Sequence, residues 1–128
     1  YSRARSLEDP KGQNYLPLAP SFTSTGGITY NSRKHISSSL RYRYMGDRPA
    51  NSDHSTVAKG YFVSDLFLNY AEKKFEAGIA IQNLFNVRWK ETQFDTESRL
   101  KNEADPVSEI HFTPGTPFFL KATVTYLF

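Results

Sequence analysis

The sequence predicts an all-β chain, an antiparallel up-and-down meander of about five to six strands. Three observations carry that expectation. The last residues, Pro117 to Phe128, alternate strictly: Phe118, Leu120, Ala122, Val124, Tyr126 and Phe128 fall on one side, Phe119, Lys121, Thr123, Thr125 and Leu127 on the other. Successive side chains of a strand point to opposite faces, so one face of this segment is wholly apolar and the other largely polar. No stretch holds the apolar period of an amphipathic helix for more than two turns. Period-two segments recur instead, separated by turn-forming residues.

Residues 1–6 read as the end of a strand. Residues 7–20 carry Pro10, Gly12, Pro17 and Pro20 and read as a loop. A strand over 21–30 puts Phe22, Ile28 and Tyr30 on one side, with Ser21, Thr23, Thr25, Gly27 and Thr29 opposite. A short turn at 31–34 leads into a strand over 35–45, where Ile36, Ser38, Leu40, Tyr42 and Tyr44 alternate with Ser37, Ser39, Arg41 and Arg43. Residues 46–60 form a long polar loop. The strand over 61–70 groups Phe62, Leu66, Leu68 and Tyr70 against Asp65 and Asn69, with Phe67 interrupting the polar side. After a tight turn at 71–74, the strand over 75–86 groups Ala77, Ile79, Ile81 and Phe85. Pairing Tyr70 with Phe75 sets Leu68 against Ala77 and Leu66 against Ile79, so the two apolar faces agree. A long polar segment over 87–116 precedes the final strand, 117–128.

The connections sort by length. The short ones, 31–34 and 71–74, fall at one end of the meander, and the long ones, 7–20, 46–60 and 87–116, at the other. Outer-membrane barrels have this arrangement, with short periplasmic turns, long external loops and strands of about ten residues. The expectation is therefore a meander that is part of a larger transmembrane β-barrel, its apolar face toward outer-membrane lipid. The mid-strand charges Arg41, Arg43, Asp65, Glu76 and Lys121 all fall on the polar face and are expected to face the lumen. Arg41 would there pair with Asp65 across neighbouring strands. Tyr30, Tyr70 and Tyr126 toward the short-turn end, and Tyr42, Tyr44, Trp89 and Phe118 toward the long-loop end, would form two interfacial belts. The alternative is a soluble β-meander whose apolar face covers a core and which binds a small ligand or protein partner.

Composition narrows the classes further. The chain has 128 residues, enough for one domain, and a mean hydropathy of -0.57, with no run near the length of a membrane helix. The absence of cysteine removes disulfides and thiolate metal sites. The net charge of +3 is spread among acidic and basic residues, and Arg41-Tyr42-Arg43-Tyr44 sends its arginines and tyrosines to opposite faces, so no nucleic-acid surface is expected. No catalytic constellation or glycine-rich phosphate loop is present, and no enzyme, cofactor or metal is expected. The start at Tyr1, without a signal peptide, suggests a piece of a longer polypeptide.

Four segments together resemble the C-terminal end of TonB-dependent outer-membrane receptors: Leu16-Pro-Leu-Ala-Pro-Ser-Phe-Thr-Ser-Thr-Gly-Gly27, Arg41-Tyr-Arg-Tyr-Met-Gly46, Ile81-Gln-Asn-Leu-Phe-Asn86 and Pro117–Phe128. Asn83-Leu-Phe-Asn86, followed by a long loop and a last strand ending in Phe, is the most specific part, and the resemblance covers about residues 15–128. It implies that residues 1–128 are a C-terminal barrel segment of a bacterial outer-membrane transporter. The plug domain and the TonB-contacting segment would lie outside this chain. The cargo would be a scarce small-molecule nutrient: a siderophore, haem, cobalamin or an oligosaccharide. The resemblance also gives Phe128, with Tyr126 and Val124, the role of the signal read by the barrel assembly machinery. In this reading Arg48, Asp53 and His54 in one long loop, and Trp89, Phe94, Asp95 and Arg99 in another, are the candidate substrate contacts.

Overall fold

The computed structural model describes residues 1–32 and 34–128, and its regular elements there are strands, with no helix among the described residues. They are β1 (Thr23–Asn31), β2 (Ile36–Met45), β3 (Arg48–Pro49), β4 (Val57–Ala58), β5 (Tyr61–Glu72), β6 (Phe75–Gln82), β7 (Lys90–Ser98), β8 (Val107–Pro114) and β9 (Phe119–Tyr126). Five of them form one sheet in the order β1-β2-β5-β6-β9, while β3 pairs with β4 and β7 with β8. The expected meander is therefore present, with two small hairpins inside its long connections.

The chain divides into two compact units. One holds Ser24–Tyr44, Phe62–Arg88 and Thr116–Phe128, which is the large sheet. The other holds Tyr1–Thr23, Met45–Tyr61 and Trp89–Gly115, which is the N-terminal segment and the long connections.

In the sheet, antiparallel pairing aligns like with like. The rows Leu66–Ile81–Leu120, Leu68–Ile79–Ala122 and Tyr70–Ala77–Val124 lie on one face. The rows Phe67–Ala80–Lys121, Asn69–Gly78–Thr123 and Ala71–Glu76–Thr125 lie on the other. On the apolar side Ile28, Ile36, Leu40, Leu68, Ile79 and Leu120 are all exposed, and Val124 reaches 71%. β1 contributes Gly26 and Gly27 to tight packing. A side chain on Gly26 would run into the Tyr42 ring, whose hydroxyl is 3.0 Å from Ser24 Oγ and which stacks on Phe62 at 5.8 Å. The large ring fills what the missing side chain leaves open, a common remedy for glycine in a strand.

Several expectations are corrected in detail. The β5–β6 register is Glu72↔Phe75, Tyr70↔Ala77 and Leu68↔Ile79, two residues from the expected one. The turn is Lys73-Lys74 alone, the two-residue loop that hairpins favour, so Ala71 and Glu72 stay in the strand. A shift of two leaves every side chain on its face, which is why the facing survives the error. It does put Glu72 at the tip of the apolar side, where the Tyr70 hydroxyl donates to its carboxylate at 3.2 Å. Residues 1–6 hold no strand beyond one bridge, Arg5↔Tyr15. β6 stops at Gln82, short of the expected residue 86. Segment 87–116 is no plain loop, since most of it is the β7–β8 hairpin.

Candidate functional site

The Asn83–Asn86 segment is where the sheet is tied together. β6 ends because Asn83 and Asn86 both take left-handed backbone angles, φ 50° each. Asparagine tolerates that region better than other side-chain-bearing residues. Asn86 N donates to Asn83 O at 2.9 Å, closing a turn around Leu84 and Phe85, and Leu84 N donates to Ser64 O at 2.8 Å.

Asn83 is 1% exposed and spends its whole side chain on backbone. Nδ2 donates to Val87 O at 2.9 Å and to Thr116 O at 3.0 Å, and Oδ1 accepts from Val87 N at 2.8 Å. Its own backbone N donates to Asp65 Oδ1 at 3.0 Å. Asn86 Oδ1 accepts from Phe118 N at 3.2 Å. The four-residue turn thus joins β5, the end of β6 and the entry to β9.

Asp65 extends the network to β2 through Arg43, 3.9 Å away. That pair is long and half exposed, so it contributes at most about 1 kcal/mol. Arg43, not Arg41, is the partner of Asp65. Arg41 lies over the Phe67 ring at 5.4 Å, which accounts for an aromatic residue on the polar side. Glu76 and Lys121 share that side in separate rows, Glu76 beside Ala71 and Thr125, Lys121 beside Ala80. At the other end of the sheet, Phe128 lies past the last strand, with its ring 5.5 Å from that of Tyr126. Leu127 N donates to Lys74 O at 2.9 Å.

The seven loop candidates separate into interior and surface groups. Arg48 is buried in β3, with Nη1 3.0 Å from Met45 Sδ. Trp89 is buried against Tyr61 at 4.7 Å, packed over Gly115, so it belongs to this unit's interior and to no interfacial belt. Asp53 caps Ser55, accepting from its N at 3.0 Å and its Oγ at 2.8 Å. His54 takes a left-handed φ of 61° and stands 4.7 Å from the Tyr15 ring. Phe94 stacks on His111 at 5.9 Å, and Asp95 accepts from Ser108 Oγ. Arg99 Nε donates to Glu103 O at 2.9 Å in the β7–β8 connection. Among the described residues no cluster of His, Asp or Glu could hold a metal ion.

Two contributors escaped the sequence reading. Gln93 is 1% exposed, and its amide answers both backbone groups of Lys59: Oε1 accepts from Lys59 N at 2.9 Å and Nε2 donates to Lys59 O at 2.7 Å. Nothing in a polar strand marks one glutamine for that task. Asp47 accepts from Gly60 N at 2.7 Å and from Lys59 Nζ at 3.3 Å.

The Gly60 amide, more than Lys59, holds the Asp47 carboxyl below its ordinary value of 3.8, and slight burial works against this. A depressed carboxyl contributes stability above its unfolded value and loses it as pH falls through the folded one. The contribution of Asp47 is therefore full at pH 5 to 7 and fades below about pH 4. The Gly60 amide proton resonance is expected to titrate with a midpoint below 3.8. In Asp47→Asn that titration should vanish, and its persistence would assign the shift to another group.

No family model matches the chain, and no curated protein or solved structure matches it either.

Proposed function

We propose that the chain is part of the barrel wall of a TonB-dependent outer-membrane receptor that takes up a scarce nutrient. Connections 46–60 and 87–116 would lie on the external side, the uncovered face would meet lipid, and Arg41, Arg43, Asp65, Glu76 and Lys121 would face the lumen. A plug domain, TonB and the barrel assembly machinery would be the protein partners, the last of them reading Phe128, Tyr126 and Val124.

The observation that carries this reading is the large sheet's exposed apolar face, where the rows of β5, β6 and β9 leave Leu68, Ile79 and Leu120 all exposed. Exposed apolar areas of this extent mark surfaces that contact something other than water. A soluble sandwich would pack a second layer against that face. Among the described residues, the outer strands β1 and β9 each pair with a strand on one side only, which suits a segment completed by further strands of a barrel.

One pair of substitutions separates the readings. Ala122 is exposed in the middle of the apolar rows, and Thr125 is exposed on the opposite face beside Glu76. In lipid vesicles, Ala122→Arg is expected to cost about 2–4 kcal/mol or prevent insertion, and Thr125→Arg should stay within about 0.5 kcal/mol. In water, arginine at either exposed position should cost about 0.5 kcal/mol or less. A chain that is monodisperse and melts cooperatively in plain buffer, with the two variants alike, would establish the soluble binding domain instead.

A further inference from the structure

The unit of long connections contains a cavity of about 310 Å³ whose lining includes Arg3, Arg5, Tyr15 and His54. That volume is at the small end of ligand sites. Its walls are fixed by backbone pairing. Ser2 N donates to Ser21 O, Ser6 N to Asn14 O, Tyr15 N to Ser52 O and Leu18 N to Pro49 O, at 2.7–2.9 Å for the first, second and fourth and 3.0 Å for the third. Three flat groups stand in sequence: the Arg5 guanidinium 3.4 Å over the Tyr15 ring, and that ring 4.7 Å from His54. Among the described residues, Arg5 Nη1 is the buried side-chain atom left without a hydrogen-bond partner. That atom is enclosed, so an anion in the cavity would be met by the rest of Arg5, which is part of the lining.

Charge points the same way. Asp47 is the acidic residue on the lining, and its two oxygens are taken by Gly60 N and Lys59 Nζ. Arg3 and Arg5 therefore leave the cavity electropositive. The guanidinium is a planar fork that matches a carboxylate, while the Tyr15 and His54 rings with Leu16 and Pro49 offer flat and apolar wall. We propose that this cavity binds a small organic anion, a carboxylate carried on a flat apolar body. The inference uses this unit alone and does not depend on what meets the large sheet.

The test is titration of the full, isotope-labelled chain with benzoate, following backbone amide resonances, with benzyl alcohol and inorganic phosphate as comparisons. Benzoate is expected to give saturable shifts at Arg5, Tyr15 and His54, and both comparisons should bind about tenfold more weakly or worse. Arg5→Gln should weaken benzoate about tenfold. Arg5→Lys keeps the charge and loses the fork, so it should weaken benzoate severalfold while amide resonances outside the cavity lining stay in place. No saturable shift up to about 10 mM benzoate would overturn the proposal. So would phosphate binding as tightly as benzoate, or unchanged affinity in both Arg5 variants.

Discussion

Asn83→Ala is expected to cost about 3–5 kcal/mol and to detach the start of β9 from the sheet. Three side-chain hydrogen bonds disappear, each contributing about 1 kcal/mol. The larger part is what stays behind, since the half-buried Val87 loses the partner of both its N and its O, while the exposed Thr116 O can turn to water. Alanine also disfavours the left-handed angle of this position, φ 50°. Asn83→Gly isolates that last effect: it should be about 1 kcal/mol less damaging than alanine while losing the same hydrogen bonds. Asn83→Asp should be nearly as severe as alanine, because it sets carboxylate oxygen against two carbonyls. Equilibrium unfolding of the variants checks the order. A cost under about 1 kcal/mol for Asn83→Ala would mean that the turn does not hold the strands together.

Gly115→Ala is the second large effect. A side chain there would enter the indole of Trp89 itself, approaching Cε2 and Cδ2 closer than any contact allows. Its backbone cannot retreat easily, because Gly115 N donates to Trp89 O at 2.9 Å. The ring must leave its place against Tyr61, at a cost of about 1–3 kcal/mol for overpacking, with more if the ring becomes exposed. Trp89 is the only tryptophan of the chain, so fluorescence reports on it directly. Expected is a red-shifted emission and faster quenching by iodide in Gly115→Ala. An unshifted spectrum would show that the ring tolerates the intrusion.

β9 was legible because its alternation is unbroken, and β2 because Leu40, Tyr42 and Tyr44 recur at period two in line with Ile36. Such a pattern follows from a sheet with two different surroundings, and sequence records surroundings well. The β7–β8 hairpin was not legible as strands. Thr92, Phe94 and Thr96, and Ile110 with Phe112, carry strand preference, but charged and polar neighbours dilute it below any clear face. The β5–β6 register was missed by two because charged Glu72 reads as turn, while geometry needs only Lys73-Lys74 there.

The candidate site was legible as a motif and not as chemistry. Asn83-Leu-Phe-Asn86 stood out, yet the acceptor it reaches at Thr116 lies 33 residues downstream, beyond any local signal. Arg48 and Trp89 look like loop-tip residues in one dimension. Their burial follows from β3, Met45, Tyr61 and Gly115, which chain folding brings to them.

Among the described residues, the outer strands of the five-membered ladder each pair with a neighbouring strand on one side only. In a solution of this polypeptide by itself, one copy's last strand could dock on another's first, and each docking would expose the same two borders again. Growth of that kind has no built-in stopping point. Dilution, or a capping strand from elsewhere, would then govern whether the material stays dispersed or extends into ribbons.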